Sequence, residues 1–419
     1  LHMRTPWSRI TFFPAIWATV WQGVAFASPL GHLQTWSPVL GIDAYDWMRP
    51  VFGTWGINWV VGAFAVVCAE AVGAWFIGPI DLEMEDADVS PLIDVPLDVI
   101  PQSRAASRGS WHTFFLGVSL LALATPSFVL PLHTLRPWDL TSSTPLVVGC
   151  ILPQPLRRNQ HMTTLERFIT ESAQYNAAKV LLWPEGAVRF ENPTQRAEML
   201  AEIQRRVVGP IIGVGFEEPI PRDDPDWQHA RPSQRRNGLV LVGPDGVLAE
   251  YYKRHLVPIA ESYSLAESHS PPTISEFEVS TPRGHSPTEW TPKQPHTRPV
   301  TLSASICLDF AAPSPFAPLS ARPALILAPA HTWHPAVGRA VFAQARARAE
   351  ELGSALLFCD GGDGAVSGVA GPGGAREPAQ EGPGSWTRTI ALPYPEEHRR
   401  TFYAWGGDFA VLGLVWAIL

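Results

Sequence analysis

Three nearly uncharged stretches in the first 135 residues constrain this chain more than any other feature. Ile10 to Ile42 carries no Asp, Glu, Lys or Arg, and Ser110 to His133 carries none either. Val51 to Pro79, VFGTWGINWVVGAFAVVCAEAVGAWFIGP, carries only Glu70. A helix needs about 20 apolar residues to cross about 30 Å of hydrocarbon, and each stretch is long enough. Trp and Tyr near their ends suit the headgroup region. The expectation is three spanning helices at about 10–30, 52–78 and 111–132, in a membrane domain covering 1–135. Buried core helices of a soluble protein are the alternative. A secretory signal would account for one such run and not for three. A carboxylate is costly in lipid, so Glu70 is expected to face protein or a water-filled cavity.

Residues 79–110 between the second and third runs read as an extramembrane loop, acidic at first and carrying Arg104 and Arg108 near its end. The closing FAVLGLVWAIL is apolar, and 405–419 reads as a further membrane segment, too short to span alone. The chain reads as a fragment or a shortened relative of a larger membrane protein. Arg4, Arg9, Arg104 and Arg108 are too few to set its orientation or to name the membrane. A net charge of −8 argues against nucleic acid as a partner, because a phosphate backbone selects basic surfaces. The four cysteines are widely spaced with no C-x-x-C pair, which speaks against a zinc site or a dense disulfide framework. Cys68, in an apolar run, and Cys359, at a strand end, are expected to pack in the core.

From about residue 145 to 400 the pattern changes to short apolar strands alternating with amphipathic helices. PLVVGCIL, KVLLWPE, GPIIGVGFEE, PVTLSASICLDF, ALILAPA and SALLFCDGG read as strands, and TLERFITESAQYNA, TQRAEMLAEIQRRV and GRAVFAQARARAEELG as helices, the last stopped by Gly353. NGLVLVGPDGVLAEYYKRH reads as two strands about a Pro-Asp-Gly turn. GDGAVSGVAGPGG lacks the Lys-Ser/Thr and following helix of a phosphate loop and reads as a hairpin. Strands this apolar need helices on at least one face.

Three reactive side chains sit just past strands: Glu185 after KVLLWP, Lys253 after VLAEYY, and Cys307 after VTLSASI. Loops at strand ends can bring such groups together over a rigid scaffold. A free thiol has a pKa near 8.5 and needs activation to act at neutral pH. A carboxylate such as Glu185 can take its proton and return it to a leaving group. A lysine such as Lys253 can face the oxyanion formed on thiolate attack, and the backbone N–H of Leu308 can add a second donor. The product is a thioester on Cys307. Taken singly, Cys307 is a buried packing residue, Glu185 a helix cap and Lys253 a solvated hairpin end. His255 reads as structural, and Glu217 and Glu218 as solvated.

The segments LLWPEGA, YYKRHLVPIAE and ASICLDF resemble the three signature segments of the nitrilase superfamily, the Glu-Lys-Cys carbon–nitrogen hydrolases. Within it, KRHLVP with a glutamate soon after resembles the apolipoprotein N-acyltransferases. FGTWGINWVV is similar to a transmembrane segment of that family and LPQPLRRNQ to the start of its catalytic domain. AQARARAEELGSALLFCDGGDGAVSGVAGPGG is similar to its helix, strand and Gly-rich hairpin, and TRTIALPYPEEHRRTFYAWGGDF to its exit strand and return to the membrane. The resemblance implies an α/β fold, a nitrilase-like α-β-β-α sandwich over 145–400 preceded by transmembrane helices. It implies catalysis by Glu185, Lys253 and Cys307, with Glu261 as a second carboxylate and Leu308, Asp309 and Trp333 as substrate-binding or supporting residues. It implies no metal and no organic cofactor. The implied partners are a phospholipid acyl donor and the N-terminal amine of a lipoprotein.

The chain also departs from that family. Leu308 and Asp309 follow the cysteine where the acyltransferases carry an aromatic residue and a glutamate. APAHTWHP, Ala328 to Pro335, replaces an Asn-rich loop, with Trp333 kept. The connection from Ser262 to Pro299 is rich in Pro, Ser, Thr and His instead of apolar, and is expected to bury acyl chains poorly. Asp309 and these two segments are expected to wall the site. Two other functions remain open: a membrane-tethered amidase or nitrilase that uses water, and an inactive scaffold on the same fold.

Overall fold

Strand β1 (Ser143–Cys150) shows how the sequence builds the layers. Side chains alternate along a strand, so Leu146, Val148 and Cys150 enter the apolar core shared by two sheets, while Val147 packs with the helices outside. The computed structural model describes residues 5–34, 43–77, 106–129, 136–154, 162–282, 284–291, 294–363, 365–371 and 380–417. Most of the expected acidic loop, and most of LPQPLRRNQ, lie outside them.

The first sheet adds β2 (Val180–Leu182), β3 (Val188–Arg189), β4 (Ile211–Pro219), β5 (Arg235–Gly243), β6 (Gly246–Tyr252) and β13 (Trp386–Pro393). Its order is β13-β1-β2-β4-β5-β6, with β3 beside β4. The second holds β7 (Ser275–Ser280), β8 (Thr297–Ala304), β9 (Leu325–Ala330), β10 (Ala355–Asp360), β11 (Val366–Ala370) and β12 (Gln380–Glu381), in the order β12-β11-β10-β9-β8-β7. Each sheet has a parallel centre, β1-β2-β4 and β8-β9-β10, flanked by antiparallel strands.

Helices α5 (Thr164–Gln174) and α6 (Pro193–Arg206) cover the first sheet with Phe168, Ile169, Leu200 and Ile203. Thr163 and Asn192 cap them by accepting the N–H groups of Glu166 and Gln195. Helix α8 (Pro335–Leu352) covers the second sheet, Phe342 meeting Phe358 at 5.4 Å between ring centres. The fold is therefore an α-β-β-α sandwich.

Helices α1 (Pro6–Ala27), α2 (Arg49–Ile77), α3 (Ala106–Ala124), the short α4 (Pro126–Val129) and α9 (Phe402–Ala417) stand apart from the sheets. Three helical stretches, Pro6–Ala27, Asp43–Phe76 and Trp111–Val129, are long and apolar enough to cross a membrane. Their outward faces show Phe13, Phe26, Trp75, Phe76, Trp111 and Leu121, all exposed. A contiguous apolar surface of this kind marks an interaction with lipid or protein. Buried polar contacts join this half to α8. Arg49 Nε lies 3.0 Å from Asp46 and 3.0 Å from Glu350, and Thr54 donates its N–H and Oγ1–H to Glu351.

Several expectations fail. Cys68 is exposed rather than packed in the core, because it lies on the part of α2 that extends past the packed core formed with α1 and α3, where Glu70 is exposed too. Cys359 is not a plain packing residue. It bonds to Cys150 across the two sheets, with Cα atoms 5.3 Å apart. Glu218 is buried, not solvated, because Arg236 and Arg196 pair with it. The connection from Ser262 to Pro299, polar in composition, forms regular elements. It supplies the edge strand β7, whose Phe277 and Val279 enter the core, and the turn α7 (Pro287–Trp290), whose Trp290 is buried under the Arg298 guanidinium.

Candidate active site

Open α/β sheets expose their loops beyond the carboxyl ends of the strands, and that is where ligands bind. Glu185 lies three residues past the end of β2, Lys253 directly follows β6, and Cys307 lies three residues past the end of β8. Pairing of the two sheets brings these ends together. Pro184 and Glu185 cross β4 so closely that a Cβ on Gly215 would stand 2.0 Å from the Pro184 carbonyl oxygen. Only glycine allows that crossing.

All three side chains are buried. Lys253 Nζ donates to Glu185 Oε1 at 2.6 Å and to Glu261 Oε1 at 2.7 Å. Glu261 Oε2 in turn accepts the Val257 N–H at 2.7 Å, which fixes the intervening loop. The Cys307 thiol lies close enough to Glu185, Lys253 and Glu261 for their charges to act on it. Cys307 opens a 3-10 turn, Cys307–Ala311, with φ at +46°. A residue with a side chain held in that region stores about 1–3 kcal/mol of strain, a state found mostly at functional sites.

The electrostatics follow from burial. Desolvation raises Glu185 to about 7 against the opposing pull of Lys253. Burial pushes the Cys307 thiol well up, and the Glu185 carboxylate adds to this while Lys253 opposes it. For Lys253, burial acts to lower the pKa, but the charges of Glu185, Cys307 and Glu261 outweigh it and hold the ammonium form. At neutral pH the cluster therefore rests as a protonated thiol beside a partly ionised carboxyl and a charged lysine. That is the state from which a carboxylate can take a thiol proton.

Asp309 is placed differently from the expectation that it walls the site. It is buried and its oxygens are occupied. Oδ1 accepts the N–H groups of Arg254 (3.1 Å) and His255 (2.7 Å) and lies 3.0 Å from His255 Nδ1. Oδ2 accepts the Tyr251 hydroxyl (2.8 Å) and the Ile306 N–H (3.1 Å). It thus ties the chain beside Lys253 to the chain beside Cys307. Leu308 is buried next to Cys307, and Trp333, in the loop before α8, is 61% exposed. Asn237 was not found from the sequence. Its Nδ2 donates to Glu185 Oε1 at 2.6 Å, the oxygen that also holds Lys253. The signal was the hairpin register: Gly238 pairs with Tyr252, so Asn237 lies opposite Lys253.

A cavity of ≈ 420 Å³ adjoins the Leu308 side of the site. One wall is Phe26, Pro29, Leu30 and Gly31 at the end of α1; another is Leu256, Pro258 and Ile259 from the loop after Lys253. His255, Ser262 and Glu267 give it a polar edge. Among the described residues no group of three or more His, Cys, Asp or Glu is arranged to hold a metal ion.

No family model matches the chain. It is similar to an apolipoprotein N-acyltransferase of Methylococcus capsulatus, 24% identical over 263 residues, which is 60% of this chain and 42% of that protein. The chain thus matches about two-fifths of the length of that curated relative. Among solved structures it is similar to an amidase from Nesterenkonia sp. AN1 that carries the acetamide moiety of fluoroacetamide on its active-site cysteine, at 21% identity and a TM-score of 0.40, covering 68% of this chain and 100% of the other. It is also similar to a nitrilase-superfamily member of Saccharomyces cerevisiae, at 15% identity and a TM-score of 0.39, covering 60% and 90%.

Proposed function

We propose that the chain is a membrane-bound acyltransferase of the nitrilase superfamily that works through a thioester on Cys307. The observation that supports it most is the meeting of Glu185, Lys253 and Cys307 from three strand ends in one buried cluster, beside a cavity walled by α1. In the first step Glu185 takes the thiol proton and the sulfur attacks the acyl carbonyl carbon of a phospholipid. The oxyanion faces the Lys253 ammonium and the Leu308 N–H. The ester C–O bond breaks, Glu185 returns the proton to the leaving lysophospholipid oxygen, and the acyl group stays on sulfur. In the second step an amine attacks the thioester, Glu185 takes a proton from it, and the thiol is restored by that proton. The name of the Methylococcus relative supports a lipoprotein-type amine as the acceptor.

Water is the competing acceptor, and the polar edge of the cavity favours it. The two outcomes are separated by loading the enzyme with a phospholipid donor and comparing free fatty acid with acylation of a diacylated lipopeptide. Acylated lipopeptide together with some free acid is expected. Free acid without any acylated lipopeptide would make the protein a membrane-tethered hydrolase.

A further inference from the structure

The turn that carries Cys307 is fastened on its downstream side by the membrane half, at two points. After α1 the chain forms a 3-10 turn, Gly31–Gln34, that packs on the Cys307–Ala311 turn. Gly31 has φ +53°, and a Cβ there would stand 2.1 Å from the Ala311 carbonyl oxygen. Two residues later, Leu33 packs against the core cluster that contains Cys307 and Phe310. Three residues beyond Ala311, Ser314, itself at φ +46°, donates its hydroxyl to Asp408 Oδ2 of α9 at 3.0 Å. Asp408 Oδ1 accepts Trp55 Nε1 of α2 at 3.0 Å and the Tyr403 hydroxyl at 2.6 Å. Both fastening points, Ala311 and Ser314, thus lie within one short stretch just downstream of Cys307, the first against the turn after α1 and the second against α9 and, through Asp408, α2.

We infer that this clamp is part of the catalytic apparatus, with Gly31, Ser314 and Asp408 acting as positioning residues for Cys307. The inference rests on the thiol chemistry proposed above, but not on the identity of donor or acceptor. A nucleophile at positive φ holds that shape only while its surroundings over-determine it. The sandwich holds the upstream side, where Asp309 accepts the Ile306 N–H, and the membrane half fixes the downstream side at Ala311 and Ser314. Loosening either downstream fastening lets the turn relax, which moves the sulfur away from Glu185 and Lys253.

The test reads thiol reactivity in the full-length protein in detergent, with Cys68 replaced by Ser. The rate of iodoacetamide addition to Cys307 is followed by mass spectrometry between pH 6 and 10 in Gly31→Ala, Ser314→Ala and the control Gly23→Ala. Gly23 lies on the same helix α1 with nothing within 4 Å of an added Cβ. Gly31→Ala is expected to slow addition about tenfold near neutral pH and to move its midpoint, Ser314→Ala to do so about threefold, and Gly23→Ala to change neither. If Gly31→Ala does not fold, Ser314→Ala decides. Wild-type rates and midpoints in folded Gly31→Ala and Ser314→Ala, with Glu185→Gln altering both, would overturn the clamp while leaving the thiol chemistry standing. No acyl donor is present, so a mistaken substrate class leaves the result readable.

Discussion

Two clusters of buried charge in this protein look alike, and the proposed function gives them different roles. In one, Glu185 and Glu261 share Lys253. In the other, Asp43, Asp46 and Glu350 share Arg49 and Arg346 where α2 and the turn before it meet α8. Burial raises Glu350 to about 7, opposed by Arg49, as it raises Glu185 to about 7, opposed by Lys253. A raised carboxyl group therefore does not by itself mark catalysis. The difference lies in the neighbours. The first cluster has a thiol on strained backbone and an adjoining cavity. The second has arginines, whose protons do not leave, and it fastens two halves together. Buried ion pairs of this kind fix geometry more than they stabilise.

The comparison breaks most directly at Cys307. Cys307→Ala is expected to lower turnover at least about 10³-fold with the melting temperature nearly unchanged, because the covalent route is deleted. Arg49→Met is expected to do the reverse. It leaves buried carboxylates uncompensated and costs about 3–5 kcal/mol, read by thermal unfolding, while the surviving folded protein keeps its pH dependence. Equal loss of turnover in both variants would mean that the second cluster also does chemistry. Lys253→Met comes next. Loss of the oxyanion partner is expected to cost about 10²–10³-fold in kcat.

The pH dependence separates the clusters more finely. Activity needs ionised Glu185, so kcat/KM should rise with pH through a limb near 7. Glu350→Gln should keep that limb. Stability runs the other way. A carboxyl raised from 4.5 to about 7 on folding contributes stability that is full below about pH 4.5 and is lost as pH rises through 7. Melting temperatures measured from pH 5 to 8 should therefore fall less in Glu350→Gln than in the wild type. A lost activity limb in Glu350→Gln would contradict the division of roles. The smallest effect on activity is expected at Cys359→Ala. Removing the bond to Cys150 should cost about 2–4 kcal/mol of stability without changing kcat.

Much of this was legible in the sequence because local pattern was strong there. The apolar runs gave the long helices, and the Pro244-Asp245 turn gave the β5–β6 hairpin. The placement of Glu185, Lys253 and Cys307 at strand ends was legible because each stands just past an apolar run. What was hidden depends on contacts between distant segments. The Cys150–Cys359 bond spans 209 residues and exists only because β1 and β10 face each other. Asn237 gains its role from register, and Asp309 from three backbone N–H groups on two segments. The alternation of Phe277 and Val279 in SEFEVS marks β7, but the prolines around it masked the signal. Arg49 and Glu350 read as ordinary helix charges until α2 is laid against α8.

Intact-mass analysis after incubation with a phospholipid donor and no acceptor tests the thioester most directly. The wild type should gain the mass of one acyl group, removable by neutral hydroxylamine and mapped to Cys307. Cys307→Ser should gain no hydroxylamine-labile group, and Glu185→Gln should acylate at least about 10²-fold more slowly. An acyl group on any other residue, or turnover in Cys307→Ala at the wild-type rate, would contradict the assignment of Cys307 as the nucleophile.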